Sequence, residues 1–472
     1  FSCARSVGFL RLEGSIKGSA GYGGVLPLLD GVRVALLPVF LAGYFWWVFA
    51  PDGLGAALFI GSGMVLLVLS MSRAGAFHRG LGVAAVAALA LSIVLGRFDA
   101  GLMFGELPSY LAIAAILQVL SLSGYPVRAD RFDRRIRALM SSLARRGAKT
   151  GTTATAMSQA LGSVLDVGAY VLIDVVFSKA APKERINALV WAARSFSFVT
   201  LWTNLNLLTA TAITLTTTSY TGLLAVSGPY LVVGLGAMVL LSQKREGGEI
   251  EVDEGVKLDA GALAVILYPV ALIVAVALVN HFASALTLTS AIAITVGLAV
   301  VAIALAAALA ARRLSPVTRL VAETRQSFVA SSPEFALFGA AGVFVLSLQA
   351  MGALAPLGSL LGGLPALWVP LALFAVIAVG FVCGIHVLPM VLLIDSAFPL
   401  SGGEMPAVWA LAIILGCQVA LLLTPFSNSV TMLSRLSGLG PFEIGPKRNW
   451  RFALATTVAA ISYLSVLAIF LS

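Results

Sequence analysis

The sequence predicts an all-α polytopic membrane protein, built from roughly 11–13 membrane segments. These fall into two related, inverted halves that contain broken helices or hairpins. Three observations carry that expectation. Of 472 residues, 60% are hydrophobic and only 11% charged, against about 25% charged in a soluble domain. Too few charges remain to build a water-exposed shell, so lipid must take the place of water around most of the body. Apolar runs of spanning length recur along the whole chain. Finally, Leu172-Ile173-Asp174 returns as Leu393-Ile394-Asp395, a shift of 221 residues.

Residues 1–31 are Gly- and Ser-rich with scattered basic residues and read as a poorly ordered leader. Spans follow at 32–50, 53–71, 80–96 and 107–122. The first ends in Tyr44, Trp46 and Trp47, rings suited to the headgroup level. Arg73 and Arg79 lie between the second and third spans, and no Lys or Arg lies between the first and second. Retention of basic residues therefore places the N-terminus and the Arg73–Arg79 loop in the cytoplasm of a multi-pass protein of the cell (inner) membrane. Segment 127–149 is the most basic, and Phe132, Ile136, Leu139, Met140 and Leu143 form one helical stripe along it. It reads as an amphipathic arm on the membrane surface.

Stretch 151–177 is apolar but broken by Gly162 and Gly168, and it either crosses once or folds back as a hairpin. Stretch 188–218 holds Arg194 and a polar run, Thr203-Asn204-Leu205-Asn206-Leu207-Leu208-Thr209. A span at 221–241 leads to a charged linker, 243–257, that divides an N-terminal half (32–242) from a C-terminal half (258–472). The second half reads as spans at 260–279 and 286–310, then a second, less basic arm at 312–328. Leu314, Val317, Leu320, Val321 and Phe328 lie on one side of that arm. A single crossing at 151–177 would place it outside, which suits its weaker basicity. Apolar runs at 335–354, 367–393, 408–423 and 452–471 complete the chain.

The repeat extends beyond three letters. Phe177 matches Phe398 and Thr203 matches Thr424 at the same shift. Each half reads as arm, apolar stretch, Leu-Ile-Asp helix, then a helix interrupted by Thr, Asn and Ser. The second half carries about 37 extra residues between arm and Leu-Ile-Asp. Two similar halves inserted in opposite orientation make a pseudo-symmetric carrier, in which exchanging the halves' conformations exchanges inward and outward access.

The net charge of +9 comes from short segments between apolar runs. This points to membrane lipid as the partner and away from nucleic acid. Cys3, Cys383 and Cys417 have no metal or disulfide spacing, so no metal and no cofactor is expected. Neither a His-Glu-x-x-His nor a P-loop occurs, and the expected protein is not an enzyme.

The polar interruptions are the candidate binding residues: Thr203, Asn204, Asn206, Thr209 and Thr211 in the first half, and Thr424, Ser427, Asn428, Ser429 and Thr431 in the second. Pro425 prevents a continuous helix at the second. Broken helices expose amides that bind anions, and carbonyls that bind sodium or polar solutes. Packing between helices by the same residue types is the competing account. Asp166, Asp174, Asp395 and His386 are ionisable groups in apolar stretches, hence candidates for sodium or proton coupling. The two Leu-Ile-Asp aspartates also suit helix ends. Arg194 suits either an anionic substrate or the interface.

The two halves, an arm in each, and Ser427-Asn428-Ser429 resemble the ion transporter superfamily of secondary carriers. It includes divalent-anion/sodium symporters, citrate carriers, and arsenite or sodium/proton antiporters. The tripeptide is similar to that superfamily's Ser-Asn-Thr signature, and the first half offers Thr203-Asn204-Leu205 in its place. The resemblance implies an elevator-like permease, often homodimeric. The expected function is secondary active transport of a small solute, an organic anion, coupled to sodium or protons. The alternatives are a proton/cation antiporter and, from another class, an intramembrane lipid-modifying enzyme.

Overall fold

A computed structural model describes residues 25–126, 149–178, 180–245, 260–283 and 286–471. Among the described residues the chain is helical with no strand, and eight helical stretches are long and apolar enough to cross a membrane. The protein is therefore an all-α polytopic membrane protein. The first arm at 127–148, the bulk of the leader and most of the charged linker lie outside the described residues. The last residues of the 1–31 segment are already helical, because α1 begins at Val25.

Helices α1 (Val25–Phe49), α2 (Leu54–Ser70), α3 (Ala76–Val94) and α4 (Ala100–Leu120) open the chain. Arg33 on α1 is fully buried and reaches Asp30, the Leu69 carbonyl and Ser72; Arg73 grips the same Asp30 carboxylate. A charge at this depth persists only when it is paired and hydrogen-bonded. The network pins α1 to the turn after α2.

Next come α5 (Thr150–Leu165), a 3-10 turn at Asp166–Gly168, α6 (Ala169–Val176), α7 (Pro182–Phe196), a 3-10 turn at Val199–Leu201, and α8 (Leu207–Thr216). Stretch Thr150–Val176 is long and apolar enough for one crossing, but its packing rules that out. Gly151 lies against Trp191, and Gly162 lies against Phe196 and Val199. The hydrogen bonds agree: Ser158 Oγ donates to the Ala192 carbonyl at 2.7 Å, and Ser195 Oγ to the Thr155 carbonyl at 2.9 Å. Helices α5 and α7 thus run parallel, and α6 must be the return between them. The stretch folds back as a hairpin whose tip is Asp166–Gly168.

Helices α9 (Tyr220–Arg245), α10 (Ala260–Phe282) and α11 (Leu288–Ala311) lead to the second arm, α12 (Ser315–Ala330). With the single crossing ruled out, the condition for placing it on the opposite side from the first arm falls away. Tyr125 donates to the Pro316 carbonyl at 2.7 Å and Ser327 Oγ to Ser121 Oγ at 2.6 Å. The arm therefore lies beside the end of α4, where the first arm departs. Val321 on it and Leu314 just before it are apolar and exposed, as a membrane-surface helix requires.

The extra residues of the second half form α13 (Ser332–Ala350) and α14 (Ala355–Gly362). Helix α13 packs against α2, α3 and α4 of the first half. Then follow α15 (Val369–Val382), α16 (Val387–Ala397), a 3-10 turn at Leu400–Gly402, α17 (Pro406–Ala420), α18 (Asn428–Ser437), a π-turn at Glu443–Lys447, and α19 (Arg448–Leu471). The apolar run 367–393 reads as one segment, yet it divides at 383–386. Gly384 takes φ 92° there, a left-handed conformation open to glycine at little cost. A Cβ on Gly380 would strike Met390 Sδ, so α15 and α16 lie side by side as a second hairpin.

The two halves pack alike. Helix α5 pairs with α7, and α15 with α17; α8 crosses onto α16 and α17, and α18 crosses onto α6 and α7.

Candidate functional site

The polar run before α8 serves its own backbone first. Thr203 Oγ1 accepts from the Leu205 amide at 3.2 Å, and Asn206 caps α8 by accepting from the Leu208 and Thr209 amides at 3.0 and 3.4 Å. Thr209 Oγ1 donates to the Thr200 carbonyl at 2.6 Å. Where a helix is interrupted, backbone groups need such partners, and short hydroxyl and amide side chains supply them. The second break repeats the device. Thr424 Oγ1 accepts from the Phe426 amide at 3.3 Å, and Ser427 caps α18 through the Val430 amide at 3.1 Å while donating to the Leu421 carbonyl at 2.9 Å. Thr203 and Thr424, and likewise Asn206 and Ser427, are related by the sequence shift and make equivalent bonds.

The remaining members divide. Asn204 is fully buried; its Nδ2 donates to the Ile273 carbonyl of α10 at 3.2 Å, and its Oδ1 has no partner. Thr211 is buried with its hydroxyl unpartnered. Ser429 is buried, Thr431 is half-buried, and Asn428, at the first position of α18, is exposed. The first-turn amides of α18 lack intrahelical acceptors, and the Ser427 cap takes only one of them.

The tip of the first hairpin packs on this helix start. Asp166 occupies it at φ 50° and ψ −138°. A non-glycine residue held there costs about 1–3 kcal/mol. Asp166 is exposed at this tip. An aspartate at this depth is tolerated only where it faces protein or water. Tyr170, one turn along α6 and fully buried, faces both Asp166 and Ser429. The structure thus gathers Asp166, Tyr170, Ser427, Asn428 and Ser429 into one place. Tyr170 escaped the sequence reading because a tyrosine in an apolar helix carries no distinguishing pattern.

The four other ionisable candidates lie elsewhere. Asp174 receives two bonds from Arg185, at 2.6 and 2.7 Å, and Arg185 also reaches the Leu436 carbonyl at the end of α18. Asp395, its repeat partner, accepts from the Leu400 amide at 2.9 Å and has no ion pair among the described residues. The two therefore differ in what a substitution removes. Asp174→Asn is expected to destabilise the protein by about 2 kcal/mol; the 3–5 kcal/mol typical of a broken buried pair is discounted because the Arg185 side chain is 37% exposed. Asp395→Asn keeps an acceptor for the amide and is expected to stay within about 0.5 kcal/mol. Thermal unfolding of the purified variants checks the contrast.

Arg194 is turned to α19: Nε donates to Asn449 Oδ1 and one terminal nitrogen to the Arg448 carbonyl, both at 2.9 Å, while its guanidinium lies over Trp191 and Phe452. His386 caps α16, with Nδ1 accepting from the Leu388 amide at 3.4 Å and its ring edge-on to Phe338. That cap requires an unprotonated Nδ1. Among the described residues no group of three His, Cys, Asp or Glu is placed to hold a metal ion. Gln418, just before the second break, is buried with neither amide atom partnered, a polar feature hidden in sequence within the run 408–423.

No protein-family model matches the chain, and no curated protein sequence matches it.

Proposed function

We propose that the chain is a secondary carrier working by alternating access. Its central site lies where the first hairpin tip meets the start of α18. The observation that carries this reading is the meeting of a strained, solvent-reachable aspartate with a helix start inside an apolar body. The carboxylate suits a sodium ion or proton, and the amide end of α18 with Asn428 and Ser429 suits the negative group of a small organic anion. The symmetry-related helix start at Asn206 supplies the counterpart from the other half.

Opposite insertion of the halves supports alternation. Helices α7 and α8 lead from the base of the first hairpin toward the base of the second, where Thr217 Oγ1 donates to the Ser401 carbonyl at 3.4 Å. Helices α17 and α18 lead the other way and end at Arg185. The extra helix α13 is the added segment that lets the second hairpin enter from the other face. Lys149, Lys183, Arg185, Arg435, Lys447 and Arg448 gather toward the first hairpin's base, whereas the loop 398–405 beside the second holds no Lys or Arg. Retention of basic residues then turns the first base to the cytoplasm of the cell membrane.

Reconstituted protein is expected to take up a small carboxylate or related anion under an imposed sodium or proton gradient. Asn428→Ala is expected to cut uptake about tenfold, the loss of one ligand hydrogen bond, with the melting temperature unchanged because the residue is exposed. Screening anions for thermal stabilisation finds the substrate to use. Asn428→Ala transporting at the parent rate would remove this site. Asp166 also favours a second reading, a proton/cation antiporter. Sodium flux driven by a pH gradient without any organic anion would select it.

A further inference from the structure

A cavity of about 620 Å³ opens between α3, α13 and the second hairpin. Phe77, Leu81, Phe344, Val379 and Met390 line it, and among the described residues His386 is the one ionisable side chain in its wall. Its volume falls in the range of ligand sites, about 300–1,000 Å³, but an apolar space of this kind holds hydrocarbon rather than water. Phe77, Val376, Val379 and Ile385 are exposed along it, so it faces the surrounding lipid.

The charge beside it is specific. Phe77 and Leu81 belong to the first turns of α3. That helix starts at Gly75 with no side-chain cap and no acidic residue in its first turn. His78 and Arg79 stand in the same turn and Arg73 just before it. Asp30, the carboxylate at this end of α1, is already held by Arg33 and Arg73. A helix start beside Arg79, which is exposed, donates to the Ser72 carbonyl at 3.2 Å and meets no carboxylate among the described residues, attracts a phosphate.

We propose that this groove binds an anionic phospholipid from the leaflet beside the Arg73–Arg79 loop. One acyl chain lies between α3 and the second hairpin, and the phosphate lies at the start of α3 over His78 and Arg79. Because α15 and α16 form one wall, the bound lipid braces that hairpin against α3 and α13. The inference stands independently of the carrier reading, since it is a statement about lipid binding.

Thermal unfolding of the full chain in detergent tests it, with three additives: phosphatidylglycerol, phosphatidylcholine of the same acyl chains, and inorganic phosphate. Phosphatidylglycerol is expected to stabilise at a concentration about tenfold lower than phosphatidylcholine, and phosphate alone is expected to do nothing. Ala375→Trp fills the groove from an exposed lining position and is expected to abolish protection by both lipids. Val379→Trp, at a second exposed lining position, gives the same readout if the first variant does not fold. Arg79→Gln is expected to bring phosphatidylglycerol to the level of phosphatidylcholine. Equal effects of the two lipids on the parent protein, protection by phosphatidylglycerol undiminished in the tryptophan variants, or protection by phosphate alone would overturn the proposal.

Discussion

Asp166→Gly is expected to abolish gradient-driven uptake and, at the same time, to stabilise the folded protein. The two effects have separate origins. Asp166 sits at φ 50°, where a side chain is strained, at about 1–3 kcal/mol. Glycine releases that strain and returns part of the gain as the entropy it loses on folding, about 0.5–1 kcal/mol. On the proposed carrier reading the carboxylate, beside Tyr170 and α18, holds the coupling ion, and its loss removes that partner. A charge-assisted interaction of about 3 kcal/mol corresponds to roughly a hundredfold in uptake. Asp166→Asn separates the two effects, because asparagine keeps a Cβ in the same strained conformation yet carries no charge: uptake falls as with glycine and the melting temperature does not rise. Full gradient-driven uptake by either variant would place the coupling ion elsewhere.

The amino-acid pattern disclosed the membrane class, the order of the elements and the two interruptions, because each rests on local chemistry. Asn206 and Ser427 are helix caps, and a cap is a short-range event that residue type announces. What stayed hidden depends on partners distant in sequence. Asp174 and Asp395 look alike in their Leu-Ile-Asp setting, but only Asp174 has an arginine at the start of the next helix to pair with. The second hairpin was hidden because its turn, Cys383-Gly384-Ile385-His386, interrupts an apolar run with one glycine and one histidine. Direction is lost for the same reason: periodicity tells that 151–177 is helical and apolar, whereas fold-back follows only from its parallel register with α7.

A close approach between the second hairpin and α17 makes the last prediction. A Cβ on Gly416 would lie 2.7 Å from the Phe374 carbonyl oxygen and 3.0 Å from Ile377 Cβ. The carbonyl belongs to the backbone and cannot rotate aside, so α17 must move. Gly416→Ala is expected to cost about 1–3 kcal/mol, the range for overpacking, and Gly416→Leu more. The related position in the first half is Ser195, which meets the same kind of neighbour by donating to the Thr155 carbonyl. One half therefore joins hairpin and following helix by close contact, the other by a hydrogen bond. The Ser195 hydroxyl also accepts from Gln159 Nε2 at 3.0 Å, so Ser195→Gly should lose about 2 kcal/mol, two hydrogen bonds and the cost of glycine within a helix. Gly61 in α2 meets nothing within 4 Å, and Gly61→Ala serves as a control expected to lose nothing. Thermal unfolding of the four variants reads the order directly. If Gly416→Leu melted with the parent protein, α15 and α17 could not be packed as one unit, and a hairpin that moves together with its broken helix would have no structural basis.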